Sequence, residues 1–192
     1  MNGLLSVSQV VDRVTGWIGR TMAWLLLLAV IVSAGNAVIR KSFNLSSNAW
    51  LELQWYLFGA VFMLCAAWTL REDEHVRVDV LSQRLSTRSR VWIDLVCHIL
   101  FLMPFAILMT YLSWPFVVSS FLSGEQSNNA GGLIRWPAKL WILAGFALLV
   151  AQGVSEIIKR GAMLTGHLPM PEESGAEDDL PPAAREAGAR DA

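Results

Sequence analysis

Four long stretches of the sequence carry no Lys, Arg, Asp or Glu, and they constrain the fold more than any other feature. They cover residues 21–39, 53–70, 95–124 and 140–155. A helix needs roughly 20 apolar residues to cross a bilayer core of about 30 Å, and each stretch reaches that length by itself or with its apolar flanks. We therefore predict an all-α membrane protein with four transmembrane helices, at about 17–39, 49–70, 91–121 and 137–158.

The composition of the chain agrees with this prediction and excludes other classes. Of the 192 residues, 54% are hydrophobic and 16% are charged, whereas soluble domains are nearer 25% charged. A solvated enzyme or a nucleic-acid-binding protein fits such a composition poorly. The first apolar stretch has the small residues of a signal-peptide cleavage site at 33–37. However, it is longer than a typical signal-peptide core and follows about 20 residues that include Asp12, which favours an uncleaved helix.

The distribution of Lys and Arg predicts the orientation, because cytoplasmic loops carry an excess of both. With four helices, and leaving aside the segment after residue 160, nine basic residues lie on one side of the membrane and four on the other. Both termini and the 71–90 loop are therefore expected in the cytoplasm. The basic residues of the cytoplasmic side are Arg13, Arg20, Arg71, Arg77, Arg84, Arg88, Arg90, Lys159 and Arg160, and those of the outer side are Arg40, Lys41, Arg135 and Lys139.

Three regions follow along the chain. Residues 1–20 are expected to form a cytoplasmic, amphipathic N-terminal segment, and residues 17–160 the four-helix membrane domain. Residues 161–192 hold seven acidic and two basic residues with several prolines. Because this composition cannot bury enough apolar surface, we predict a disordered acidic cytoplasmic tail.

The loop at 71–90 has a helical apolar face formed by Val78, Leu81 and Leu85. This pattern predicts an amphipathic helix on the inner membrane surface, between helices two and three. Ser86 is a candidate N-cap for helix three, within which Pro104 and Pro115 are expected to produce bends.

The membrane helices offer little chemistry. Glu52, Asp94 and Glu156 lie near helix ends, where pairing at the interface is the ordinary interpretation. Cys65 and Cys97 form no CxxC pair, and no second ligand accompanies His75 or His98 at metal-binding spacing. Ala29, Ser33 and Ala37 form a stripe of small residues that would permit close helix packing. No catalytic, metal or cofactor site is predicted.

Several segments together resemble the small membrane subunit (the Q, or small permease, component) of tripartite ATP-independent periplasmic transporters, the TRAP family. The resemblance covers roughly residues 10–160, and its most specific part is EHVRVD at 74–79. The other matching segments are ELQWYLF at 52–58, TLRED at 69–73, LSTR at 85–88, WID at 92–94, GGL at 131–133, WPAK at 136–139 and the stretch 145–153.

The resemblance implies a multi-pass protein of the bacterial inner membrane that is not an enzyme. Its partners would be a large, elevator-type membrane subunit and a periplasmic protein that delivers an organic acid or related solute. The complex would use a sodium gradient, with the sodium sites in the large subunit. The alternative is a stand-alone four-helix membrane protein, either an assembly factor or a small membrane enzyme.

The resemblance also implies a set of subunit-interface residues, and a second hypothesis concerns the outer loops. We expect Glu52 and Gln54 to hold helix two to a neighbouring helix or to the large subunit, and Arg77 and Asp79 to orient the inner loop through ion pairs. The candidates for the subunit interface are Glu52, Gln54, Trp55, Arg71, His75, Arg77 and Asp79. The candidates for contact with the binding protein are Arg40, Lys41, Glu125 and Arg135, for which charged loops in water are an equal alternative.

Overall fold

The computed structural model of the chain describes residues 2–43, 47–72 and 86–170. These residues form four long helices: α1 (Asn2–Phe43), α2 (Asn48–Arg71), α3 (Thr87–Leu122) and α4 (Trp136–Leu164). Each helix is long and apolar enough to cross a membrane. The described part contains no strand, only an isolated bridge between Gln126 and Ile134. The prediction of an all-helical chain with four helices able to cross a membrane is confirmed for these residues.

The N-terminal segment is not separate from the first membrane helix. α1 begins at Asn2 rather than near residue 17, so most of the predicted 1–20 segment is the first part of α1. Ser8 and Thr15 in this part are 2% and 1% exposed. Their burial explains why the helix extends over this segment. Contact with the rest of the bundle stabilises helical residues that the sequence pattern alone predicts only weakly.

The other helix bounds follow the prediction more closely. α2 differs from the predicted 49–70 by one residue at each end. α3 starts at Thr87, and the Ser86 side chain accepts a hydrogen bond from the Ser89 amide at 3.4 Å, as the N-cap prediction requires. α4 continues to Leu164, into the segment that was expected to belong to the tail. The amphipathic helix predicted at 71–90 lies mostly outside the described residues, as does most of the tail.

A change of helix type within α3 accompanies the first of its two prolines. Residues Thr87–Cys97 are α-helical, His98–Leu102 form a π-helical turn, and the α-helix resumes at Met103. Pro104 has no amide hydrogen to donate to the preceding turn, and a local π-helical adjustment can re-satisfy backbone groups that a proline frees in a membrane helix. Pro115 lies inside the second α-helical part without another change of type.

α4 is the central helix of the described fold, since it packs against α1, α2 and α3. The buried positions are as often polar as apolar, which is expected where helices pack through small and polar residues rather than by the hydrophobic effect. The buried apolar residues include Ala60, Leu64, Ala67, Ala106 and Ala162, and the buried polar residues include Ser113, Ser120, Gln152, Ser155, Glu156 and Arg160.

Candidate functional site

Glu52, in the first turns of α2, holds the loop that leads into α4. Its carboxylate accepts hydrogen bonds from the Ser127 hydroxyl, from the Asn129 side-chain amide at 2.8 Å and from the Leu133 backbone amide at 2.6 Å. Both carboxylate oxygens are used. Bonds to a charged acceptor are about twice as strong as neutral ones, so Glu52 fixes the loop at 123–135 against α2. We call this end of the bundle the outer end, following the charge-based orientation.

A second carboxylate, Glu125, anchors the same loop to the start of α4. It forms ion pairs with Lys139 and, at 3.4 Å, with Arg135, and it accepts a hydrogen bond from the Ser120 hydroxyl at 2.8 Å. The hydrogen bonds from Lys139 and Ser120 and the two nearby positive charges lower the pKa of Glu125 below its usual value. Lys139 also lies over the ring of Phe116, 4.0 Å from its centroid. The loop is therefore held on both sides.

The backbone of this loop closes on itself. The Ser127 amide donates to the Leu133 carbonyl at 3.0 Å, and the Arg135 amide donates to the Glu125 carbonyl at 2.9 Å. The Asn48 side chain, at the start of α2, donates to the Ala130 carbonyl at 2.9 Å. Gly131 supplies the turn, with a φ of 71° that other residues rarely adopt. Together these bonds make a structured outer surface rather than a loose connection.

A groove runs between α1 and α2 within the apolar part of both helices. It has a volume of about 820 Å³. The small-residue stripe of α1 forms one wall, and Gln54 and Trp55, two of the predicted interface residues, belong to the other. The lining residues are Leu26, Ala29, Val30, Ser33, Ala34, Ala37, Gln54, Trp55, Phe58 and Gly59. Trp55 and Phe58 are 75% and 60% exposed, so the groove offers large aromatic side chains beside small ones.

Glycines bring the helices together at two other places. A Cβ atom at Gly145 of α4 would lie 2.7 Å from the Met63 carbonyl oxygen of α2, closer than real contacts allow. A Cβ atom at Gly19 of α1 would overlap the Trp68 ring of α2. In contrast, a Cβ atom added to Gly59, in the groove, would have no other atom within 4 Å. Gly145 and Gly19 are therefore packed against α2, whereas the groove has space beside Gly59.

At the opposite, inner end, Asp12 of α1 is bound to three side chains of α4. Its Oδ1 accepts from the Gln152 amide at 2.8 Å and from the Ser155 hydroxyl at 3.0 Å, and its Oδ2 pairs with Lys159 at 3.2 Å. The hydroxyls of Ser8 and Ser155 are 2.6 Å apart. We call this group, with Glu156, Arg160 and Asp94, the inner cluster.

Glu156 extends the inner cluster to α3. It pairs with Lys159 and Arg160 on its own helix and accepts from the Gln152 amide at 3.0 Å. The Arg160 side chain in turn lies 3.6 Å from the Asp94 carboxylate of α3. Glu156 is 4% and Arg160 is 7% exposed. Through Asp12 and Asp94, this network links α4 to both α1 and α3.

The predicted site residues fall into separate places. Glu52, Glu125 and Arg135 meet at the outer loop, while Gln54 and Trp55 line the groove. Arg71 lies at the inner end of α2, 3.5 Å from Glu72. Arg40 and Lys41 are exposed in the last turn of α1. His75, Arg77 and Asp79 lie outside the described residues, so their predicted roles stay predictions.

The sequence interpretation anticipated pairing for Asp94 and Glu156 but missed Asp12, Gln152 and Ser155. A signal was present, because Gln152, Ser155, Glu156 and Lys159 follow the i, i+3, i+4, i+7 spacing of one helix face. A polar face on a membrane helix needs a polar partner, and Asp12 is the acidic residue of the N-terminal segment. Among the described residues, no group of three or more His, Cys, Asp or Glu side chains is placed to hold a metal ion.

Comparison with known proteins identifies the family. The family model described as "Tripartite ATP-independent periplasmic transporters, DctQ component" matches residues 29–162. This match includes all of α2 and α3, most of α4 and the part of α1 from residue 29, which carries the α1 groove residues except Leu26. No curated protein and no solved structure matches the chain. Since the family match covers more than half of the sequence, the chain belongs to the DctQ component family of tripartite ATP-independent periplasmic (TRAP) transporters, a family of transporter components rather than enzymes.

Proposed function

We propose that the chain is the small scaffold subunit of a sodium-coupled TRAP transporter in the bacterial inner membrane. In this proposal the large membrane subunit moves the solute by an elevator motion, and a periplasmic binding protein delivers an organic acid or a related solute. The small subunit holds the fixed part of the large subunit in place. It contributes no sodium or solute site of its own.

The groove between α1 and α2 carries this proposal. Helices associate in lipid through small residues that allow close approach and through polar residues that bond across the contact. The groove combines Ala29, Ser33 and Gly59 with the polar Gln54. A polar side chain in a membrane helix generally faces protein rather than lipid. The groove thus supports docking of a helix from the large subunit.

The distribution of charge supports a scaffold role over a transport role. The middle of each apolar stretch carries no charged residue, whereas ion paths through membranes use buried carboxylates or histidines. The carboxylates of the described helices lie at the ends, where Glu52 and Asp12 are bonded to neighbouring elements. Both ends of the bundle are therefore fixed, as a static scaffold requires.

On the outer side, we propose that Arg40 and Lys41 contact the binding protein. They are exposed at the end of α1, and exposed charges steer association more than they add affinity. Glu125 and Arg135 have a different role in this proposal, since they are paired with each other. They shape the outer surface on which the binding protein rests.

A matched pair of substitutions tests the proposed function. Gly59→Trp places a large ring in the groove, and Gly35→Trp places the same ring on α1 at a residue that does not line the groove. At both glycines an added Cβ atom would have no other atom within 4 Å. We expect Gly59→Trp to lose co-purification of the large subunit and solute uptake, and Gly35→Trp to keep both. Wild-type co-purification and uptake with Gly59→Trp would contradict the proposal.

A further inference from the structure

The inner ends of α1 and α2 form a small polar cavity of about 240 Å³, lined by Arg20, Trp68, Arg71 and Glu72. Two buried glycines of α1 make this cavity possible. The guanidinium of Arg71 occupies the space that a Cβ atom at Gly16 would need, and the Trp68 ring occupies the space beside Gly19. The absence of side chains at these glycines lets the two α2 residues lie directly on α1.

Two positive charges meet at this place. A Cβ atom added to Gly16 would lie 3.2 Å from the Cζ atom of Arg71 and 3.8 Å from the Nη2 atom of Arg20. Arg20 donates through Nε to the Gly16 carbonyl at 3.1 Å, which directs its guanidinium towards Arg71. Like charges on neighbouring side chains repel each other, so an anion that contacts both guanidinium groups is favoured.

Glu72 neutralises part of this charge. Its Oε1 atom lies 3.5 Å from Arg71 Nη1 and accepts a hydrogen bond from the Trp68 indole at 3.0 Å. Within the described part of the chain, no other carboxylate is paired with either arginine. The described lining residues, two arginines and one glutamate, therefore carry one net positive charge.

We propose that this cavity binds the phosphate of an anionic phospholipid headgroup. Guanidinium groups match phosphate oxygens through paired hydrogen bonds, and basic pockets between membrane helices bind acidic headgroups. The position fits, because Arg71 is the last residue of α2 and Trp68 is of the type that lies at the membrane interface. We call Arg20, Trp68 and Arg71 the headgroup site.

Apolar surface beside the headgroup site favours a lipid over a soluble anion. Trp17 and Trp24 are 66% and 74% exposed on α1. They lie three residues before and four residues after Arg20, and this spacing places all three side chains on one helix face. Trp24 lies on the membrane side of Arg20 and Trp17 on its inner side. An acyl chain attached to a phosphate on Arg20 would thus lie against the Trp24 ring, which a free phosphate would leave uncovered.

The test is native mass spectrometry of the full-length chain in detergent, titrated with phosphatidylglycerol and with phosphatidylcholine. We expect a preference for phosphatidylglycerol. An interfacial basic residue contributes about fivefold to such binding, so Arg20→Gln/Arg71→Gln should weaken it roughly 25-fold. The control Arg13→Gln/Arg88→Gln removes two exposed charges of the inner end, outside the cavity, and should leave the preference unchanged. Glu72→Gln should strengthen binding, because it removes the competing carboxylate.

Two further measurements separate loss of charge from loss of folding, and binding of a lipid from binding of a soluble phosphate. Arg20→Lys/Arg71→Lys retains both charges and should keep most of the preference, which separates loss of charge from loss of folding. Inorganic phosphate is added as a competitor, and it should not displace the lipid at equal concentration. Equal binding of the two lipids, wild-type affinity in the double Gln variant, or displacement by inorganic phosphate at equal concentration would each overturn the proposal.

Discussion

At the scale of single residues, Glu52 shows how one side chain organises a surface. The sequence interpretation expected it to hold helix two to a neighbouring helix or to the large subunit. In the structure its carboxylate binds the loop that precedes α4, through Ser127, Asn129 and Leu133. The residue type and the outer-end position were readable from the sequence. The partners were not, because they lie more than 70 residues away and no local pattern connects them.

Replacement of Glu52 should loosen this loop. We expect Glu52→Ala to increase hydrogen exchange at the Leu133 amide severalfold, because that amide loses its charged acceptor. Glu52→Gln should have a smaller effect, since an amide oxygen still accepts a hydrogen bond. Amide exchange followed by mass spectrometry over residues 123–135 measures the difference. Unchanged exchange in Glu52→Ala would show that the loop is held by other contacts.

Glu125 gives the outer loop a defined pH dependence. Its pKa is lowered from the usual value of 4.5, chiefly by the hydrogen bond from Lys139. The ionised form therefore stabilises the folded state above pH 4.5, and this contribution is lost as the pH falls towards the lowered pKa. The melting temperature of the wild type should exceed that of Glu125→Gln by a constant amount above pH 4.5. The difference should narrow below that pH, and a difference that widens there would contradict the assignment.

At the scale of helices, α4 determines how the bundle is assembled. It contacts the other three helices through small residues, such as Gly145 and Gly153, and through the polar face around Gln152. Hydropathy predicted where α2 and α3 lie in the chain. A long uncharged stretch within a bilayer must form a helix, because only internal hydrogen bonds can satisfy its backbone there. Hydropathy gave less information on α1, whose first part is stabilised by contact with α4 rather than by lipid.

Gly145 lies in a close helix contact and Gly59 on an open helix surface, so substitutions at the two positions should differ in their effect on stability. Gly145→Ala should destabilise the bundle by about 1–3 kcal/mol, because the added Cβ atom meets the Met63 backbone and overpacked contacts cost this much. Gly59→Ala, on an open surface, should be neutral or stabilise its helix by up to about 1 kcal/mol. Thermal unfolding of both variants in the same detergent compares them. Equal stability would contradict the close packing of α2 on α4.

At the scale of the whole molecule, most of the apolar surface faces outwards. Only 6% to 28% of the residues in the most apolar part of each helix are buried. A membrane protein that acted alone would expose such a surface to lipid on every side, where polar residues are disfavoured and small residues have no helix to pack against. The α1–α2 groove contains both, which is why we assign it to the large subunit. The family could be recognised from sequence because its motifs are local, whereas the groove requires two helices to be placed side by side.

Site-specific photocrosslinking in cells that express the complete transporter can show which helix face contacts the large subunit. A photoreactive residue is placed at Phe58, in the groove, or at Tyr111 of α3, at a similar distance from the outer end. These side chains are 60% and 72% exposed in the isolated chain. Our account predicts crosslinks to the large subunit from position 58 and none from position 111. Crosslinks from position 111 with none from position 58 would contradict it.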